Sequence, residues 1–358
     1  MNFPTSTHKR EWLFDPETLN QKYAAAQQQA LEVLRAASDD TAAAADGAAP
    51  DAKKQRADCP VSVADEAALK LFYQVKLKAI CEQLKMPSKV LHAALLFFKR
   101  FYVASSCLEH DPMRVMPTAI YLACKVEEAY RSAESLAKAI GIEAGPVLRF
   151  EVPLLQGLKF DLVLHSPYRA LAGLFKELDE LRSQQSPLLD PQLLAAPPEA
   201  VDKARGRARA AADSLLLTDA PLLHAPGVIA AAALRSAFRK LQLPCHQFLR
   251  HVAQRGMQQQ MAASAVGGRS SSSSNGGNGS LDAAAAEQQL LASMAAVDDL
   301  AVRQGQIDEA ALQQKATDVD RIIKLWKKGL QQQQRSDSKG GSVPPPAVGA
   351  AAAAGAMS

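Results

Sequence analysis

Apolar residues recur three and four positions apart over most of the chain, the period of helices that bury one face. A helix over 66–84, opened by Asp65, would carry Leu69, Phe72, Tyr73, Ile80 and Leu84 on one stripe. A second begins near Ser88 and presents Val90, Ala94, Phe97, Phe98 and Phe101, apolar on more than one side, so several neighbours must cover it. A third runs towards Glu128 through Ala119, Leu122, Ala123 and Val126. Ser132 can cap a short fourth that stops at Gly141, and Gly145 and Pro146 open a fifth with Leu148, Val152, Leu155 and Leu158 on its stripe. Five helices in about a hundred residues fit one bundle.

The pattern then restarts. Ser166 and Pro167 form an N-cap and first-turn pair ahead of Tyr168, Leu171, Leu174, Phe175, Leu178 and Leu181. Further helices are expected over 202–217, 226–241, 245–255 and 281–302, and a last one over 308–330. The first 37 residues read as a helical segment. Ser38 to Cys59 is rich in Ala, Asp and Lys with little to bury, and an insertion over 256–280 ends in the linker run GGRSSSSSNGGNGS, from Gly267 to Ser280. The tail 331–358 has no amphipathic period and is expected to stay disordered. The fold class predicted is all-α: a unit over 60–164, a second over 165–306, and flanking N- and C-terminal helices.

Composition agrees. Of 358 residues 48% are hydrophobic but only 5% aromatic, and alanine is abundant, which favours helices packed through small side chains. A net charge of +4 does not by itself indicate a nucleic-acid carrier. The five cysteines (59, 81, 107, 124 and 245) are scattered and never form C-x-x-C, so neither a disulfide framework nor a zinc site is indicated. The most apolar stretch, Leu91 to Phe98, is cut by Lys99 and Arg100, which argues for a soluble intracellular protein. The chain shows no P-loop, H-E-x-x-H, G-x-S-x-G or strand-linked G-x-G-x-x-G, and no catalytic chemistry is indicated.

Phe97 to Tyr102 (FFKRFY), Tyr121 to Glu128 (YLACKVEE), Arg149 to Glu151 (RFE), Leu158 to Leu162 (LKFDL) and His165 to Arg169 (HSPYR) follow one another in an order and spacing that resemble the cyclin box. THKREWLF at Thr7 to Phe14 and LLLTDAPLLHAPGVIAAAAL at Leu215 to Leu234 resemble the branch of the cyclin family found in the CDK-activating kinase. The resemblance implies two consecutive five-helix cyclin-box repeats and a non-catalytic regulatory subunit. It implies that the first repeat docks on the C-helix of a cyclin-dependent kinase, anchored by a lysine and a glutamate that map to Lys125 and Glu151. Apolar contacts map to Leu122, Val126, Leu155 and Phe160. A RING-containing assembly factor, transcription factor IIH and a nuclear location follow from the same resemblance. No cofactor, metal, membrane or direct nucleic-acid partner is implied. Another transcriptional cyclin, of the C type, is the alternative within the family. A DNA-binding repeat protein of the transcription factor IIB type would be expected to show a cysteine-paired zinc ribbon and a strongly basic second repeat, and this chain has neither.

Other features read more plainly. Phe97, Phe98 and Phe101 at helical spacing belong to a core. The basic runs Lys203, Arg205, Arg207, Arg209 and Arg321, Lys324, Lys327, Lys328 read as solvated helix faces, and Lys53 to Arg56 as a polar insertion or an import signal. Cys245, His246 and His251 lack a second ligand pair at zinc spacing. Pro117 and Pro153 fall inside the third and fifth helices, so those helices should start later or kink.

Overall fold

The computed structural model describes residues 3–42, 61–267 and 279–339, with side chains over 3–36, 61–258 and 284–330 apart from Ala286. The insertion cores at 43–60 and 268–278, including Lys53 to Arg56 and Cys59, and the tail from 340 lie outside the described residues. Among the described residues there are helices and no strands. Two short N-terminal elements, a 3-10 turn and α1 (Thr7–Trp12), precede the long α2 (Pro16–Ala42). The first set is α3 (Val63–Gln83), α4 (Ser88–Phe101), α5 (Pro112–Val126), α6 (Ala133–Ile140) and α7 (Ala144–Gly157). The second is α8 (Pro167–Ser183), α10 (Pro198–Leu216), α12 (Pro226–Lys240), α13 (His246–Gly267) and α14 (Gly279–Gly305), with one-turn pieces α9 (Pro191–Leu194) and α11 (Ala220–Leu223) between them. A final helix, α15 (Glu309–Lys339), closes the chain's described part.

Local chemistry explains most of the helix ends. Ser132 accepts from the Ser135 N–H, and Gly141 ends α6 at φ 79°, a left-handed position that suits glycine. Ser166 caps α8 with Pro167 in its first turn. The start of α3 differs from expectation: Ser62, not Asp65, is the N-cap, and Asp65 at the third position returns a carboxylate to the Ser62 N–H, closing a capping box. Pro117 and Pro153 both lie within their helices, neither of which starts after its proline. Each leaves the carbonyl four residues earlier without its helical donor.

Each set surrounds its own core. The first is built on Leu77, Phe97, Phe98, Phe101 and Ile120, the second on Phe175, Ala231, Leu234, Phe238 and Phe248. The last helix does not extend the second set. Its Ala316, Val319 and Ile323 join the first core, against α3 and α2.

Asp161, just after α7, ties the N-terminal elements to the first set. It accepts from Thr7 Oγ1 (2.8 Å) and Trp12 Nε1 (2.8 Å), while its backbone carbonyl accepts from Arg100 (3.2 Å). The Arg100 side chain is fully buried, stacks 4.7 Å over the Trp12 ring, and leaves Nε and one terminal nitrogen unpartnered. A second buried knot, Glu66, accepts from Ser106 Oγ (2.6 Å), the Cys107 N–H (3.1 Å) and Gln27 of α2 (3.0 Å).

Candidate functional site: an outward face on α5 and α7

Helix α7 is apolar on two sides. Val147, Leu154 and Leu158 at its end are buried, and Phe150 packs against the same core. Leu148, Glu151, Val152 and Leu155, at the spacing i, i+3, i+4 and i+7, form another stripe, and Val152 is 57% exposed. Leu148 and Val152 therefore do not face the core as their period suggested. The inward stripe lies one position away, and period alone does not choose between two apolar faces. Gly157 sets how closely α7 approaches α4: a Cβ there would fall 2.6 Å from Phe101 Cδ2. Thr118 of α5 lies between α5 and α7, donating to its own helix at Arg114 (2.9 Å) and lying 3.4 Å from the Val147 carbonyl.

This packing brings together Lys125 and Glu151. Lys125 stands in the last turn of α5 and donates to Glu151 Oε1 across the α5–α7 junction. The lysine side chain is 45% exposed and the glutamate 17%. Hydrogen bonding to Glu151 raises the Lys125 pKa above the usual lysine value, with burial opposing and the charge of Glu151 and nearby Tyr121 adding to the rise. The ammonium also sits 5.3 Å from the centre of the Tyr121 ring. The pair is thus charged, oriented and still open to an incoming group.

The other expected contact positions divide. Val126 and Leu155 are half-buried beside the pair, and Phe160 is 65% exposed just past α7. Lys159 and Phe160 hold φ of 52° and 55°, uncommon for side-chain-bearing residues, while the Phe160 N–H bonds to the Leu155 carbonyl at 2.9 Å. That turn holds the ring outward. Leu122 is buried in the first core and supports the face from beneath. Glu127 accepts from Lys89 through its carbonyl, and Arg131 donates to the Leu84 carbonyl at 3.0 Å, which pins the neighbouring rim. Leu148 and Val152 were not among the expected contact residues, and both extend the apolar surface of α7.

Several of the remaining candidates are engaged elsewhere. Arg205 pairs with Asp179 and Asp202 and stacks on Phe175, Arg207 donates to the Lys240 carbonyl, and Arg209 covers Tyr168. His251 Nε2 lies 2.9 Å from Glu177, whereas His246 is exposed. In the C-terminal run, Arg321 pairs with Asp318 and Lys324 with Asp320.

Known proteins share this architecture. The family described as cyclin, N-terminal domain, matches residues 71–163, and the cyclin C-terminal domain matches residues 166–302. Cyclin-H1-1 of Arabidopsis thaliana is 35% identical over 248 residues, spanning 66% of this chain and 70% of that protein. Cyclin-H of Xenopus laevis is 33% identical over 198 residues, 52% of this chain and 56% of its own length. A chain in the structure of the CAK complex from Chaetomium thermophilum bound to ATP-gamma-S has the same fold, with a TM-score of 0.62 at 22% identity over 94% of this chain and 88% of that one.

Proposed function

This chain belongs to the cyclin family, with similarity to its H-type members, and from that premise we propose that it is the regulatory subunit that binds and activates a cyclin-dependent kinase of the CDK-activating type. The observation that carries the reading is the solvent-facing Lys125–Glu151 pair set among the exposed or half-exposed apolar side chains of Val126, Leu148, Val152, Leu155 and Phe160. Charged hydrogen-bonding groups strengthen when an apolar ring excludes water around them, so such a pair can clamp the backbone of a docked helix while the ring supplies affinity. A protein kinase is active when the glutamate of its C-helix pairs with its strand lysine and its activation loop is ordered. A subunit that holds that helix inward shifts the kinase population towards the active state. The phosphoryl chemistry stays with the kinase, and this chain supplies no catalytic group.

The similarity to H-type cyclins and to a chain of a CAK complex supports wider roles. These are a nuclear complex with a RING-containing assembly factor, phosphorylation of the activation loops of cell-cycle kinases and, within transcription factor IIH, of the RNA polymerase II tail. The similarity to H-type members also favours this reading over the C type.

The test is co-purification with candidate cyclin-dependent kinases and a kinase assay, using wild type and a Lys125→Ala, Glu151→Ala double variant checked for folding by circular dichroism. Wild type should bind and activate, and the folded double variant should lose affinity by about 100-fold, roughly 2.7 kcal/mol. Undiminished binding by the double variant would move the interface elsewhere. Failure of folded wild type to bind any such kinase would overturn the function.

A further inference from the structure

A cavity of about 190 Å3 lies where α2, α3, α4 and the segment following α10 meet, so its wall is drawn from the N-terminal helix and both repeats. It shares no residue with the Lys125–Glu151 face. Tyr23, Lys70, Gln74, Lys99, Thr218 and Asp219, with Gln304 from the end of α14, give it polar walls.

Two buried ammonium groups dominate it. Lys99 is 4% exposed and donates to the Leu217 carbonyl at 3.3 Å. Lys70, also buried, places its ammonium 4.1 Å from the centre of the Tyr23 ring and hydrogen-bonds to no described residue. One carboxylate faces them, Asp219, which lies 3.4 Å from the Tyr23 hydroxyl. Glu66, one turn before Lys70, is occupied by Gln27, Ser106 and Cys107. The wall therefore carries one positive charge in excess. Burial lowers the Lys99 pKa to about 8, with Asp219 opposing and the Lys70 charge adding to the fall. A buried ammonium with unmet N–H groups is costly unless oxygen acceptors complete it.

The cavity also holds an unmet acceptor. Gln74 Oε1 is buried with no hydrogen-bond partner. An occupant must therefore accept from two ammonium groups and donate one hydrogen bond. At about 30 Å3 per water the space corresponds to roughly six waters, enough for a tetrahedral oxyanion with water beside it.

We infer that this cavity is a binding site for a compact oxyanion that retains a hydroxyl group, of the inorganic phosphate class, held by Lys70 and Lys99 and donating to Gln74. Sulfate has the same size and shape but no hydroxyl at neutral pH, so it lacks the third contact. A ligand here joins the N-terminal helix to both repeats and stabilises only the assembled molecule. The inference goes beyond the kinase reading and is measured without a kinase.

The experiment is calorimetric titration and thermal unfolding of the full chain with inorganic phosphate at millimolar concentrations and constant ionic strength, with sulfate in parallel. Wild type should bind phosphate saturably, with a Tm rise of about 3 °C at saturation, and sulfate at least about tenfold more weakly. Lys99→Met and Lys70→Met should abolish both signals, and Gln74→Leu should bring phosphate down to the level of sulfate. If a lysine variant fails to fold, Gln74→Leu and phosphorus NMR line broadening on wild type carry the test. No saturable phosphate binding, equal affinity for sulfate, or unchanged binding in the folded variants would overturn the site.

Discussion

Two ion pairs in the first repeat differ in burial and in what is left open around them. Arg100 and Asp161 are 3.8 Å apart, with the arginine wholly enclosed and the aspartate already engaged by Thr7 and Trp12. Lys125 and Glu151 stand at the surface with free hydrogen-bonding capacity and an uncovered apolar ring. The buried pair carries a heavy desolvation cost that neighbouring contacts must offset, so it acts on stability and on the position of α1. The exposed pair is screened by water, so its worth appears only when a partner removes that water. Burial and completeness, not charge type, separate this structural pair from the pair proposed to dock.

The sharpest way to break this contrast is Arg100→Ala, which strips a buried charge pair and a stacked guanidinium together. It should cost about 3 kcal/mol or more in urea unfolding and expose α1 to limited proteolysis, while Arg100→Met, which keeps the volume, should cost less. A loss below about 1 kcal/mol would mean that the buried pair is as dispensable as a surface one. Next comes acid. Burial, with Arg100 nearby, pushes His8 and His92 down to about 3, and His165 is also lowered, chiefly by burial. For His8 and His92 the folded value lies below the unfolded one, so as pH falls the unfolded chain takes up protons first. Their contribution is complete above about pH 6.5 and is lost as pH falls towards about 3. Between pH 6.5 and 5 His8 and His92 should each cost about 1.7 kcal/mol, and unfolding curves that do not shift over that range would contradict the buried neutral state.

On the docking side, Val152→Asp should leave thermal stability within about 0.5 kcal/mol of wild type and weaken kinase binding by at least about tenfold, or 1.4 kcal/mol. Unaltered affinity would remove α7 from the interface. The smallest effect is reserved for Lys125→Ala in the isolated chain, expected to change unfolding free energy by less than about 1 kcal/mol. A larger loss would show that this pair too serves the fold.

Much of the helical architecture was legible because caps and periods agreed, as at Ser132, Gly141 and the Ser166–Pro167 pair. The misreadings are equally physical. Asp65 reads as a cap in the sequence because a carboxylate three residues inside a helix and one at its cap look alike without the backbone. Leu148 and Val152 were turned inward because an apolar outward stripe resembles a core stripe in phase and in residue type. The Arg100–Asp161–Trp12 knot went unread although each member lies within a quoted motif. An arginine that ends an apolar run looks solvent-bound until its distant partners are in place. Lys125 and Glu151 rested on resemblance alone, since only the packing of α5 on α7 makes them neighbours.

The Asp161 knot also sets a timetable for synthesis. Its hydrogen bonds to Thr7 and Trp12 span 154 and 149 residues. At about 5 to 20 residues per second, the first helix waits roughly 8 to 30 s after emerging from the ribosome before its partner emerges in turn. During that interval Trp12 has no Asp161 to bond. The Thr7–Trp12 stretch, made long before Asp161, is thus among the later ones to dock, and slowing translation before residue 161 lengthens the time it is open to chaperones and proteases.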